Sequence, residues 1–249
     1  MDIKNPEKKR KQNKKRKLNR GIVFGIAAVF AVVVAAALIF IFINREKSKP
    51  FRADLGNGLM IQEASSFTGT YVEDGSDHSV SNVWELTVTN TGNQDIQFLR
   101  IQAQGPGETV TFDITTLTAG STVKVQAKEA ARYPSDEKKW GYTVENLAYF
   151  QEPRSLYKDL LTISVSDHTI QLENVSDTDL TKDIYVYYKN TDTREAAKGD
   201  DNEHQTVFNG GITYRVKFAG GLASGETAQV QTQHYNEQSS RIMYVTCGE

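Results

Sequence analysis

Leu117-Thr-Ala-Gly120-Ser-Thr122-Val-Lys-Val125-Gln126 returns 105 residues later as Leu222-Ala-Ser-Gly225-Glu-Thr227-Ala-Gln-Val230-Gln231, with L-x-x-G-x-T-x-x-V-Q in common. A second pair precedes them in the same order. Leu86-Thr-Val-Thr-Asn90-Thr-Gly-Asn is echoed by Ile170-Gln-Leu-Glu-Asn174-Val-Ser-Asp, and each is soon followed by Asp-Ile, at Asp95-Ile96 and Asp183-Ile184. Each copy reads as a strand, an Asn-centred turn, a pairing strand, then a Leu-capped Gly turn into another strand. Two pairs in one order predict tandem domains over 55–150 and 156–249, joined across Asn146 to Asp159. A single larger sandwich is the competing arrangement, because sandwich turns converge on Gly, Asn and Asp without common descent.

The surrounding pattern is that of strands with one buried face. Trp84, Leu86 and Val88 alternate with Glu85, Thr87 and Thr89, and Val110, Phe112 and Ile114 with Thr111, Asp113 and Thr115; period 2 is the signature of a half-buried strand. Further strands are predicted over 122–126, 141–145, 161–165, 169–173, 183–189, 213–218, 227–231 and 242–245. Turn signals such as Asn90-Thr91-Gly92-Asn93, Gln104-Gly105-Pro106-Gly107 and Asn209-Gly210-Gly211 separate them. The order of these pieces resembles bacterial immunoglobulin-like domains of the cell-adhesion-related (CARDB-like) kind, in which an N-x-G turn follows an early strand and L-x-x-G leads into a late one. Asn90-Thr91-Gly92 fits that pattern, and Asn174-Val175-Ser176 departs from it by lacking the Gly. The resemblance spans about 90 residues of each half, implies Ig-like β-sandwiches in an adhesive or scaffolding setting, and carries over no catalytic residue.

Ahead of this β-rich part lies a different kind of chain. Residues 1–20 hold ten Lys or Arg against two acids, and Gly21 to Ile43 then runs 23 residues without a charge. A helix needs about 20 apolar residues to cross a bilayer, so 21–43 is predicted to be one N-terminal transmembrane helix and 44–54 a short stalk. Basic residues flanking a span stay in the cytoplasm. The basic tail 1–20 is therefore placed inside, and the C-terminal domains outside the cell membrane. A cleaved signal peptide would have a shorter apolar run ending in small residues, whereas this one ends Phe40-Ile41-Phe42-Ile43-Asn44-Arg45. Ala27, Ala31 and Ala35, with Gly21 and Gly25, offer a small-residue face through which two spans can pair as a homodimer. Type IV pilins resemble the layout of basic leader, Gly and apolar helix, yet usually carry Glu where this chain has Ile26.

Charge narrows the partners. The tail sums to +8, which leaves −10 of the chain's net −2 on residues 21–249. An acidic exported part argues against nucleic acid as its partner, and the expected partner is another envelope protein. Cys247 is the lone cysteine, so the fold must be held by burial rather than by disulfides.

Chemistry is sparse. His78, His168, His204 and His234 have no ligand-type residues at metal-site spacing, and neither G-x-S-x-G nor G-x-x-x-x-G-K-[ST] occurs. The sequence therefore assigns no catalytic residue, no cofactor and no metal ligand, and the expected function is non-enzymatic presentation of domains for protein contact. Two features keep a surface enzyme or metal-dependent binder as the alternative. The 189–206 loop is acidic at Asp192, Glu195, Asp200, Asp201 and Glu203, in a composition that suits calcium without the EF-hand pattern, and Glu73-Asp74-Gly75-Ser76-Asp77 is a weaker run of the same kind. Tyr185 and Tyr187 share one face of a strand whose other face holds Ile184, Val186 and Tyr188. That second aromatic face is either covered by the 189–206 loop or is a tyrosine patch for a partner. Asn174-Val175-Ser176 has the form of a glycosylation sequon.

Overall fold

The computed structural model describes residues 53–192 and 206–248. The basic tail, the apolar 21–43 run, most of the stalk and the acidic 200–204 stretch lie outside them. Among the described residues no helix is long and apolar enough to cross a membrane. They are mostly β: β1 Ala53–Gly56, β2 Leu59–Thr70, β3 Ser79–Asn90, β4 Ile96–Gly105, β5 Glu108–Leu117, β6 Thr122–Gln126, β7 Gly141–Tyr149, β8 Leu161–Ser166, β9 Thr169–Asn174, β10 Ile184–Asn190, β11 Val207–Asn209, β12 Tyr214–Phe218, β13 Thr227–Gln231 and β14 Ser240–Cys247. Two short 3-10 turns precede β7.

The strands form four sheets, ordered β1-β2-β3-β6-β11, β5-β4-β7, β13-β9-β8 and β12-β10-β14. The trio β2-β3-β6 has its counterpart in β8-β9-β13, and β5-β4-β7 in β12-β10-β14, each reached in the same order along the chain. Alternation decides which face is buried. Trp84, Leu86 and Val88 of β3 meet Leu99 and Ile101 of β4 and Phe112 and Ile114 of β5 in a first core. Ile170 and Leu172 of β9 meet Ile184 and Val186 of β10 and Val216 and Phe218 of β12 in a second. Trp84 anchors the first, fully buried, with Phe112, Tyr133, Trp140 and Tyr142 packed near-perpendicular around it at centroid distances of 4.9–6.0 Å, the edge-to-face arrangement that ring quadrupoles favour.

The repeated motifs occupy equivalent places in these cores. Asn90 Nδ2 donates to the carbonyls of Gln94 (2.9 Å) and Leu117 (3.2 Å), and Asn90 Oδ1 accepts from Gly92 N (3.0 Å). Asn174 Nδ2 donates to Thr178 (2.8 Å) and Leu222 (3.1 Å), and Asn174 Oδ1 accepts from Ser176 N (3.0 Å). Gly120 N donates to Asn90 O and Gly225 N to Asn174 O. One buried amide thus ties the early turn to the late one in each half, which is why Asn and the Leu-x-x-Gly motif recur together. The same bonds answer the sequon question: Asn174 is fully buried and its amide nitrogen is engaged, so it is closed to glycosylation in the folded chain.

Two strands have no counterpart, β1 at one edge of the five-stranded sheet and β11 at the other. β11 comes from the second half of the chain yet pairs parallel with β6 of the first, Val207 opposite Thr122 and Asn209 opposite Lys124. Three residues between a loop and an Asn-Gly-Gly turn carry no alternation, so this pairing has no trace in the sequence pattern.

Two measurements follow from this packing. Asn90→Ala and Asn174→Ala each take the donor from one buried carbonyl, of Leu117 or Leu222, and from one partly buried turn carbonyl, and each should lower the unfolding free energy by about 1–3 kcal/mol in urea titrations; an effect at only one site would break the equivalence of the halves. Burial also raises the phenol pKa of Tyr71, Tyr133, Tyr142, Tyr188, Tyr214 and Tyr235 above the ordinary value of 10.0. For a group raised on folding, the stability is fully present below the unfolded-state pKa and is lost as pH rises past it. Stability should therefore hold to about pH 9.5 and fall progressively above about pH 10, and a flat profile through that range would count against buried phenols.

Candidate functional site

β10 is the central strand of β12-β10-β14, and the burial of its side chains follows period 2 until near its end. Ile184, Val186 and Tyr188 point into the second core, at 0%, 0% and 2% exposure. Tyr185 and Tyr187 stand half-exposed on the outer face. Pairing register then sets what flanks them. Tyr187 lies opposite Arg215 on β12 and Tyr244 on β14, and Tyr185 lies opposite Lys217 and Thr246.

The tyrosine patch expected from 185 and 187 is thus wider than its own strand. The Tyr187 and Tyr244 rings stack at 4.2 Å with 10° between their planes, and Phe150 meets Tyr244 edge-on at 5.3 Å. Arg215 places its guanidinium 4.8 Å from the Tyr185 centroid, with Lys217 Nζ at 5.8 Å, within reach of a cation–π attraction. Lys217 also binds Asp183 at 2.6 Å; that hydrogen bond holds the Lys217 pKa up and the Asp183 pKa down. A face of this composition offers flat, stiff contact area with cationic hydrogen-bond donors at its edge, the residue types that dominate binding hot spots.

Beside the face runs a half-open groove of about 430 Å³, lined by Gln97, Phe150, Glu152, Tyr187, Tyr244 and Thr246 among others. Its wall is the connection between the halves. Arg154 fixes that connection by donating from Nε to Asp95 Oδ2 and from Nη1 to Met243 O, both at 2.7 Å, and Val245 N donates to Ser155 O at 2.8 Å. The Thr246 hydroxyl beside the groove is buried without a hydrogen-bond partner among the described residues.

A second hollow, about 500 Å³, is lined by Arg100, Thr109, Thr111, Lys128 and Glu129. Its cations are already spent. Arg100 binds Asp113 through both Nε (2.6 Å) and Nη2 (2.9 Å), and Lys128 binds the same carboxylate at 2.9 Å. Burial alone would raise the Asp113 pKa, but these cations outweigh it and hold it below the usual carboxylate value.

The other residues singled out by sequence are scattered. His78 contacts Ser76, His168 contacts Asp167, and His234 contacts Asp77 at 3.0 Å while stacking on Tyr214. Among the described residues no group of three or more His, Cys, Asp or Glu is placed to hold a metal ion. His204 and the 193–205 part of the acidic loop lie outside them, and at the loop's near end Asp192 accepts a 2.6 Å contact from Lys124. Burial pushes the Cys247 thiol up, away from the thiolate form that reacts. Glu73 is a correction: it reads as one acid of an exposed run, yet its carboxylate turns inward onto backbone N–H groups of Gly211 and Gln126. Sequence also passed over Arg215 and Tyr244, whose only link to Tyr185 and Tyr187 is cross-strand register, and Phe150, which follows β7 of another sheet and joins the face through its ring contact with Tyr244.

Comparison with protein-family models, curated proteins and solved structures gave no match.

Mutual support between the rings is measurable. Tyr187→Ala and Tyr244→Ala, made singly and together, should show a coupling of about 0.5–1.5 kcal/mol in stability. No coupling would mean that the backbone alone brings the rings together.

Proposed function

We propose that this chain is a single-pass cell-envelope protein, anchored through residues 21–43 with its N-terminus in the cytoplasm. Its extracytoplasmic residues are tandem Ig-like β-sandwiches that serve protein–protein interaction or scaffolding. The observation that carries the contact role is the half-exposed aromatic and basic face built from Tyr185, Tyr187, Arg215 and Tyr244. Single exposed apolar residues need no explanation, but aromatic rings from three chain segments converging beside a cation mark an interaction surface. Two separate buried clusters and the matched Asn90 and Asn174 bonding support the tandem reading, with 55–150 and 156–249 as its spans. The partner is then another envelope protein, and the small-residue face of the span supplies a route to a homodimer within the membrane.

A photo-reactive phenylalanine placed at Tyr185 or Arg215 in intact cells should give a protein adduct, with the same probe at Asp167 on a distant turn as control. Protease added to protoplasts should digest 50–249 and spare the basic tail. Adducts equal at the face and the control turn would remove the contact role, and protection of 50–249 would remove the topology.

A further inference from the structure

Where the halves meet, the chain buries charge. Lys189 is 0% exposed at the end of β10, and its Nζ donates to the carbonyls of Thr115 (2.9 Å), Gly211 (2.8 Å) and Ile212 (3.1 Å). Three bonds to carbonyl oxygens use all three protons of an ammonium group. Glu73 accepts from Gly211 N with both oxygens (2.9 and 3.0 Å) and from Gln126 N (2.9 Å). Burial lowers the Lys189 pKa and raises that of Glu73, while the attraction between the two opposes both shifts. The charges meet through one peptide neighbourhood, since Glu73 takes the Gly211 N–H and Lys189 takes its C=O.

That neighbourhood belongs to a strap, Thr206 to Thr213, that crosses from the second half onto the first. Besides the β11–β6 pairing, Thr122 N donates to Thr206 O, Gly210 N to Lys124 O and Thr115 N to Gly211 O. Only glycine fits at the crossing. A Cβ on Gly211 would stand 2.1 Å from the Asp113 carbonyl oxygen and 2.8 Å from Val125 Cγ2. Directly beside it, Thr116 is buried at φ 52°, a conformation that a β-branched residue adopts only where its surroundings over-determine the backbone.

We propose that the 206–213 strap is a conformational latch: docked, it fixes the two cores in one orientation, and undocked, it leaves them joined through the 150–160 connection with Arg154, the His234–Asp77 contact and Met243 against the first core, a smaller interface about which they can turn. Three independent features converge on it, namely a buried cation and anion sharing Gly211, a position that admits no side chain, and strain stored in Thr116. Among the described strands the three-residue β11–β6 ladder at a sheet edge is the one pairing that joins the halves, and with β1–β2 it is the shortest, which makes it the place where a local opening separates them. Lys189 lies two residues from Tyr187 on β10, so undocking also loosens one wall of the aromatic groove. The latch stands whether or not that groove is a contact site.

The test uses the full-length chain in nanodiscs, with Cys247→Ser as background and spin labels on Glu108→Cys and Asp167→Cys, one exposed turn from each half. The parent should give a single narrow distance distribution by pulsed electron resonance. Gly211→Ala and Lys189→Met should each broaden it by about twofold or more, as expected for domains without a fixed interface, while near-ultraviolet dichroism from Trp84 and its ring neighbours is retained. Gly141→Ala, at a position with open space around the site and no positive φ, should leave the distribution narrow. Lys124→Met, which removes the Asp192 contact bracing the strap, gives a milder opening and should broaden it partly. A narrow distribution in both Gly211→Ala and Lys189→Met overturns the latch, as does a parent already as broad as the variants. Loss of both cores in Gly211→Ala together with a narrow Lys124→Met distribution overturns it as well, since the strap would then be part of a single core.

Discussion

The Lys189 ammonium, held by three carbonyls at the join of the two cores, is the constraint around which the rest is arranged. A buried charge that loses its partners costs several kcal/mol, whereas the same charge fully hydrogen-bonded is close to neutral relative to an apolar substitute. Its worth here is therefore specificity of arrangement rather than stability. It requires Thr115 of β5, the Gly211 and Ile212 carbonyls and the inward carboxylate of Glu73 to occupy one place together. β11, the glycine at 211 and the left-handed Thr116 are consequences of bringing those groups into register.

Within each half the organising group is a neutral one. Asn90 and Asn174 each use a side-chain amide to join two turns that strand pairing alone leaves apart, and each is buried at the top of a core whose Leu, at 117 or 222, supplies one accepting carbonyl. The repeat was legible because this bonding fixes residue types at fixed places in the chain. Asn serves as donor and acceptor, Leu fills the core, and Gly adopts the positive φ of 77° and 75° at 120 and 225. Loss of Gly at 176 was tolerable since only its backbone N–H is used, and Ser supplies that equally well.

What the sequence hid has a common cause. Period 2 reports which face of a strand is wet, and it served for β3, β5 and β10 because each faces a single core. It cannot report which distant strand lies alongside, so Tyr244 and Arg215 were invisible as neighbours of Tyr187. It fails outright where a distant segment covers the outer face. Tyr188 keeps phase with Ile184 and Val186 toward the second core, while Lys189, in phase with Tyr185 and Tyr187, is buried because residues 206–213 and β5 lie over it. Lys189 closes the strand predicted over 183–189, and Glu73 opens a short acidic run. Neither residue type carries a sequence mark for burial, because the groups that satisfy them are backbone atoms far away in the chain.

One face of β10 carries both junction features. Lys189 continues the alternation of Tyr185 and Tyr187 and stands on their side of the strand; it is buried because residues 206–213 and β5 cover that end, with the Phe208 ring 5.8 Å from Nζ and the Thr115, Gly211 and Ile212 carbonyls around it. The irregularity lies in β14, where Tyr244 pairs with Tyr187 and Ile242 with Tyr188, so that Met243 is the extra residue and packs in the first core. That bulge lets β14 reach the first core while Tyr244 keeps its stack on Tyr187. The aromatic face and the charged join are thus consecutive stretches of a single strand face, open at Tyr185 and Tyr187 and covered at Lys189, and a one-residue slip of β10 would displace both together.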